Sequence, residues 1–143
     1  TTEGGLEVAG NLVRLREVCQ HLRMAGVRVS LFIEPDARQI DAACAAGAPV
    51  IEIHTGRYAE AKDDFERGSE FERIAAAARY GVTQGLQVNA GHGLNYQNVQ
   101  PIAALTQLRE LNIGHAIIAR ALFSGMEESV SEMKRLLVGA RSL

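Results

Sequence analysis

The chain has 143 residues, of which 47% are hydrophobic and 22% are charged, so it can fill the core of one domain and is not of the disordered class. Its formal net charge of −2 provides no basic field, which argues against nucleic acid and membranes as partners. No apolar run reaches membrane-spanning length and the two cysteines lack metal-ligand spacing, so we expect reduced thiols and a cytoplasmic protein.

Helical and strand-like patterns alternate along the chain. In chain order, the predicted elements are a helix over 12–22, a strand over 27–33, a helix over 36–46, a strand over 50–54, a helix from 69 to near 85, a strand over 86–90, a short helix over 98–105, a strand opening with 111–113 and a last helix from about 126. The polar stretch 56–68 predicts a connection, and the stretch 114–123 predicts a mobile segment. Helix starts are predicted from three pairs with capping-box spacing: Asp36 with Gln39, Ser69 with Glu72, and Ser124 with Glu127.

The predicted strands belong to a parallel α/β fold, because each is separated from the next by a helix. Aliphatic and polar residues alternate within the strands, whereas the central strands of a doubly wound sheet would be apolar throughout. The alternation is typical of a (β/α)8 TIM barrel whose lumen holds a ligand near the C-terminal strand ends. A complete barrel needs about 250 residues. We therefore expect residues 1–143 to form a single domain, the C-terminal half of a barrel, with the N-terminal half absent from the sequence.

Three histidines lie at or just after the predicted strand ends, namely His54, His92 and His115. The active sites of (β/α)8 barrels form at that end of the strands. A single histidine in such a place is more often a structural hydrogen-bonding residue, and we expect that role for His21 on a helix. Three histidines in equivalent places favour a functional site.

Glu52 lies in mid-strand between Ile51 and Ile53, so its side chain points into the lumen if the isoleucines face the helices. An ionised carboxylate there is costly unless it is paired or hydrogen-bonded. One interpretation is a buried ion pair with a lysine or arginine from elsewhere in the chain. The other is a catalytic carboxylate that carries protons or stabilises developing positive charge.

Glycines accompany two of the histidines. Gly91 and Gly93 flank His92, and Gly114 precedes His115. Loops after the last two strands of such barrels commonly bind phosphate through backbone N–H groups and a helix N-terminus. Tight turns alone would explain the glycines, but Gly-His pairs after consecutive strands favour phosphate binding, with Gly93, Gly114 and His115 as ligands.

Five segments closely resemble the pyridoxine 5′-phosphate synthase family of vitamin B6 biosynthesis: TTEGGL, VSLFIEPD, IEIHTG, VNAGHGLNY and ELNIGHAIIARALF. The resemblance extends from Thr1 to about Leu137. It implies a (β/α)8 barrel with additional helices that forms a homo-oligomer, typically an octamer. It also implies the condensation of two small phosphorylated substrates, 3-amino-2-oxopropyl phosphate and 1-deoxy-D-xylulose 5-phosphate, with release of inorganic phosphate and water and without a metal or organic cofactor.

The resemblance further implies residue roles. His92 in AGHG resembles the family's proton donor, and Glu52 in IEIH resembles its transition-state-stabilising carboxylate. The implied substrate-binding residues are Gly93, Gly114 and His115 for the aminoketone phosphate, and Thr1 for the deoxyxylulose phosphate.

Two alternatives stay open. A metal-dependent barrel enzyme could gather Glu52, His54, His92 and His115 around zinc or manganese. A non-catalytic half-barrel could instead bind a phosphate compound or assemble with a partner, because the family's early-strand His and Glu proton acceptors and its substrate-holding arginines have no counterpart in this sequence. For the same reason we expect the isolated chain to be inactive.

Overall fold

The structure, a computed structural model, describes residues 4–141. Within them, four strands form one sheet whose spatial order equals the chain order, and each adjacent pair is parallel. The strands are β1 (Ser30–Ile33), β2 (Val50–His54), β3 (Gln87–Gly91) and β4 (Leu108–Asn112). The helices are α1 (Leu12–Met24), α2 (Ala37–Ala46), α3 (Gly56–Ala59), α4 (Asp64–Thr83), α5 (Val99–Ala103), α6 (His115–Ser124) and α7 (Met126–Gly139), with a 3-10 turn at Ala9–Asn11 before α1. Successive parallel strands joined by helices are the repeating unit of a (β/α)8 barrel, so the predicted fold class is confirmed.

The hydrophobic core lies on one face of the sheet, where the helices pack. Ile33, Ile51, Ile53 and Val88 are fully buried there, and they occupy alternate positions in three adjacent strands, as the pleat of a strand requires. The intervening residues therefore point to the opposite face, and Glu52 is one of them. The predicted division into an aliphatic face and a polar face is confirmed.

A bulge interrupts β4. Leu108 pairs with Val88 and Leu111 pairs with Ala90, so three steps along β4 match two steps along β3. Because paired residues of parallel strands point to the same face, both leucines face the helices despite their odd spacing. The alternation is broken at this point, which explains why the predicted strand started at residue 111 instead of Leu108.

The start of α2 was predicted correctly, but the reason given for it was half wrong. The carboxylate of Asp36 accepts a hydrogen bond from the Arg38 N–H at 2.8 Å, and Gly47 ends the helix with φ 81°. Gln39 does not complete a capping box. Its Oε1 instead accepts the Val8 N–H at 2.8 Å, so this side chain fastens the preceding segment to α2.

One predicted helix start was wrong, and a second helix starts where it was predicted but without the predicted cap. Helix α4 begins at Asp64, inside the stretch expected to be a connection, because the carboxylate of Asp63 caps the Glu66 N–H at 2.7 Å. Ser69 therefore lies inside the helix. At the second site, residues 115–124 form α6 and are not an irregular segment. Helix α7 begins at Met126, as predicted, but it follows Gly125 (φ 84°) and has no side-chain cap from Ser124. Among the helices of residues 4–141, none has both the length and the apolar character needed to cross a membrane.

Candidate active site

A cavity of about 510 Å³ opens at the C-terminal end of the strands. Its lining residues come from β1, β2, the loop after β3, the end of β4 and the start of α6. They are Phe32, Glu52, His92, Gly93, Leu94, Asn112, Ile113, Gly114 and His115. The structure thus brings together five residues predicted from the sequence, namely Glu52, His92, Gly93, Gly114 and His115. The sixth, Thr1, lies outside the described residues.

Glu52 is half-buried in the wall of this cavity, with its carboxylate in hydrogen-bonding contact with Asn112. Burial raises the pKa of Glu52 above its ordinary value, and the contacts with Asn112, His54 and His92 offset only part of that effect. No lysine or arginine within residues 4–141 forms an ion pair with Glu52. The purely structural ion pair considered from the sequence does not form there.

Gly91 provides the space that the Glu52 carboxylate occupies. A Cβ at this position would overlap the Glu52 Oε1 atom and would lie 3.0 Å from both the Cβ and the carbonyl oxygen of Asn112. This glycine is therefore explained by a neighbouring side chain. Gly93 differs, because its φ of 74° is one that residues with a side chain rarely adopt.

His92 adopts a backbone conformation that residues with a side chain rarely adopt. Its φ is 82°, and it is the only non-glycine residue with positive φ among the described residues. For a residue with a Cβ this conformation costs about 1–2 kcal/mol. Strain of this kind persists only where surrounding contacts hold it, and such residues cluster at functional sites.

Asn89 does not line the cavity, although its neighbours Glu52 and Asn112 on the flanking strands do. It is buried on the same face, where its amide donates to the Glu110 carboxylate at 3.3 Å and accepts from Gln87 at 3.1 Å. These bonds engage the Asn89 amide with side chains outside the cavity lining. Glu52 and Asn112 therefore line the cavity together, and Asn89 does not.

Gly114 and His115 lie at the N-terminus of α6 and border the cavity. A helix of ten residues presents unpaired backbone N–H groups and a partial positive charge at this end. A Cβ at Gly114 would meet no atom within 4 Å, so the backbone there is open to a ligand. The arrangement is chemically suited to an anionic group such as phosphate.

A second group of residues lies behind the cavity, and only His54 among them was singled out from the sequence. His54 is buried, with 8% of its side chain exposed, and its Nδ1 lies 2.6 Å from the Glu34 carboxylate. Burial alone would raise the pKa of Glu34, but hydrogen bonds from His54 and the Gly5 N–H, with the charges of His54 and Arg57, more than offset it and lower the pKa. The pairing depends on the register of β1 and β2, which sequence spacing does not reveal.

The metal-site alternative would require Glu52, His54, His92 and His115 to converge on one ion. Within residues 4–141 the structure contains no group of three or more His, Cys, Asp or Glu side chains that could hold a metal ion. His54 is instead engaged by Glu34.

One comparison with known proteins bears on this site. The family model described as "Pyridoxal phosphate biosynthesis protein PdxJ" matches residues 1–139 of the chain. The match includes all the strands of the sheet and every residue that lines the cavity.

Proposed function

Because the chain belongs to the PdxJ family of pyridoxal phosphate biosynthesis proteins, we propose that it carries the pyridoxine 5′-phosphate synthase reaction. In this reaction 3-amino-2-oxopropyl phosphate condenses with 1-deoxy-D-xylulose 5-phosphate. The products are pyridoxine 5′-phosphate, inorganic phosphate and water. The proposed chemistry consists of imine formation, proton transfers, dehydrations and the elimination of one phosphate group as inorganic phosphate, and it uses no metal or organic cofactor.

The observation that carries the proposal is the composition of the cavity. A carboxyl group with a raised pKa, a histidine and the N-terminus of a ten-residue helix border one space of about 510 Å³. Ring closure from an aminoketone and a ketose needs groups that exchange protons near neutral pH, and two phosphorylated substrates need anion sites beside them. The described residues of the cavity supply two candidate proton-transfer groups, Glu52 and His92, and one anion site at the start of α6.

We assign His92 as the proton donor for the departing oxygen atoms. Its imidazole borders the cavity, and histidine is the side chain whose ordinary pKa lies nearest to neutrality. Glu52 borders the same cavity and stabilises the positive charge that develops on the imine nitrogen during condensation. Partial burial strengthens that interaction, because water screens the carboxylate less.

Gly93, Gly114 and His115 are the proposed ligands of the aminoketone phosphate. The open backbone at Gly114 and the N–H groups that begin α6 are the donors that a phosphate group prefers. We assign Thr1 to the second substrate on the strength of its motif alone. Both assignments predict that substrate binding, and not proton transfer, is weakened when these residues change.

Turnover also requires acid/base groups that the family resemblance assigns to earlier strands of the barrel. We therefore propose that the 143-residue chain is inactive alone and becomes active in an assembly that supplies those strands. Homo-oligomerisation, typical of the resembling family, is part of the same proposal. The matching assay measures pyridoxine 5′-phosphate formed by the chain alone and by the chain mixed with the N-terminal half of a complete family member.

Variants in the active mixture test the residue roles. We expect His92→Ala to abolish ring formation, and Glu52→Gln to lower kcat strongly while KM changes little, because its charge matters chiefly in the transition state. His21→Ala on α1 is the matched control and should leave turnover unchanged. Near-normal turnover of His92→Ala would remove that residue from its role, and stoichiometric zinc in the purified protein would contradict a metal-free reaction.

A further inference from the structure

We propose that His54 and Thr55, at the end of β2, are positioning residues for the His92 imidazole, and that Glu34 fixes His54 for this purpose. The inference rests on the proposed role of His92 and adds the groups that hold it. His54, Thr55 and Glu34 lie behind the wall of the cavity, whose described lining includes His92 but none of these three.

The backbone of His92 needs an external support. With φ 82° it sits in the left-handed region between Gly91 and Gly93, two residues that restrict the chain little. Thr55 is fully buried directly beneath this turn. Its hydroxyl oxygen lies 2.7 Å from the Gly91 carbonyl oxygen and 2.6 Å from that of His92, so its single proton is shared between them. The Thr55 N–H adds a third bond, to the Gly91 carbonyl at 2.9 Å.

The ring of His92 is supported by the ring of His54. Their centroids are 4.8 Å apart at an interplanar angle of 69°, an edge-to-face contact. The Phe32 ring lies near both, with its centroid 5.1 Å from that of His54 and 6.4 Å from that of His92. Gly56 closes this packing from below. A Cβ there would lie 2.5 Å from the His54 Nε2 and 3.1 Å from the His92 Cδ2, so both rings rest against the backbone of one glycine.

Glu34 determines how His54 is oriented. A carboxylate only accepts hydrogen bonds, so the 2.6 Å contact places a proton on the His54 Nδ1 and leaves Nε2 to the side of His92. That Nε2 is buried and has no hydrogen-bond partner among the described residues. Buried polar atoms without partners are rare, and each calls for a functional reason. The functional reason that we infer is orientation: the His54 ring, held by the Glu34 carboxylate, packs against the His92 ring and fixes the direction in which His92 presents its proton.

The test is an NMR experiment on the full 143-residue chain labelled with ¹⁵N and ¹³C, without substrates. Thr55→Val removes the hydroxyl at nearly constant shape, while Thr55→Ser retains it. Glu34→Met removes the acceptor for the His54 Nδ1–H at a partly exposed position and stays informative if Thr55→Val does not fold. The readouts are the backbone chemical shifts of His92, the contact between the His54 and His92 rings measured by nuclear Overhauser effects, and the tautomer of His54 from its ring ¹⁵N shifts.

We expect Thr55→Val to lose the backbone chemical shifts typical of a left-handed conformation at His92 and the contact between the two rings. We expect Thr55→Ser to keep both. Glu34→Met should lose the Nδ1-protonated tautomer of His54 together with the ring contact. The signals of His21 on α1 should not move in any variant. Unchanged His92 shifts and ring contact in Thr55→Val, or in Glu34→Met, would overturn the proposal, as would equal losses in the Ser and Val variants. Since no substrate is present, a failure of the proposed reaction leaves this result unaffected.

Discussion

Replacing Glu52 with glutamine is expected to stabilise the folded chain at neutral pH. The wild-type pKa is raised by burial, so ionising this carboxyl costs more in the folded than in the unfolded state. Full burial of an ion costs several kcal/mol. Glu52 is only half-buried, and its contacts with Asn112, His54 and His92 offset part of the cost of burying its charge. After allowance for contact with solvent, we expect a gain of about 1 kcal/mol, or about a fivefold change in the unfolding equilibrium.

The pH dependence of this gain gives the decisive assay. A carboxyl whose folded pKa is raised contributes stability that is present below its unfolded pKa and is lost as the pH rises through the folded pKa. Urea unfolding should therefore show Glu52→Gln to be more stable than the wild type at neutral pH, and the difference should vanish at acidic pH. Glu72→Gln, an exposed position on α4, is the matched control and should show no such trend. A wild type that is more stable at neutral pH, or a difference independent of pH, would refute the assignment of Glu52 as a carboxylate that costs stability.

Three further predictions concern the supports of the site and the start of α4. Glu34→Gln should destabilise the chain by less than about 1 kcal/mol at neutral pH. Because the pKa of Glu34 is lowered, the greater stability of the wild type in urea unfolding should disappear as the pH falls through that lowered pKa. A stability difference that grew in acid would contradict this prediction. Gly56→Ala should lower the stability of the chain by about 1–3 kcal/mol through overpacking against His54. Gly68→Ala, in open space on α4, should raise it by about 1 kcal/mol. Equal shifts in melting temperature for the two variants would contradict the close packing at Gly56. Asp63→Ala should lower the stability by about 1 kcal/mol because it removes the helix cap, and Ser69→Ala should not lower it. Thermal melts check this ranking, and a larger loss for Ser69→Ala would disprove it.

Local signals in the sequence were sufficient for much of the architecture. The strand at 50–54 and the helix that Asp36 and Gly47 enclose were predicted at their observed bounds, because alternation and capping act within a few residues. The two faces of the sheet followed from the same alternation. The convergence of Glu52, His92 and the start of α6 then follows from placing parallel strands side by side.

Features that depend on contacts between distant residues were missed. The β4 bulge is defined only by pairing with β3, so alternation within the strand placed its start too late. The bond between Glu34 and His54 spans 20 positions, and the contact of Thr55 with the loop at His92 spans 37. In α4, two capping signals competed, and Asp63 prevailed because acidic residues in the first turn add a favourable interaction with the helix dipole.

The measurement that tests the phosphate-binding cavity most directly is a titration of the labelled chain with inorganic phosphate, followed through its backbone amide signals. If the N-terminus of α6 and the loop after β3 form the proposed anion site, the amides of Gly93, Gly114 and His115 should shift together and saturate, and chloride at equal ionic strength should not reproduce the effect. A phosphate site in this cavity would be contradicted if the amide signals of these three residues did not move while those of basic surface positions such as Arg16 and Arg23 did.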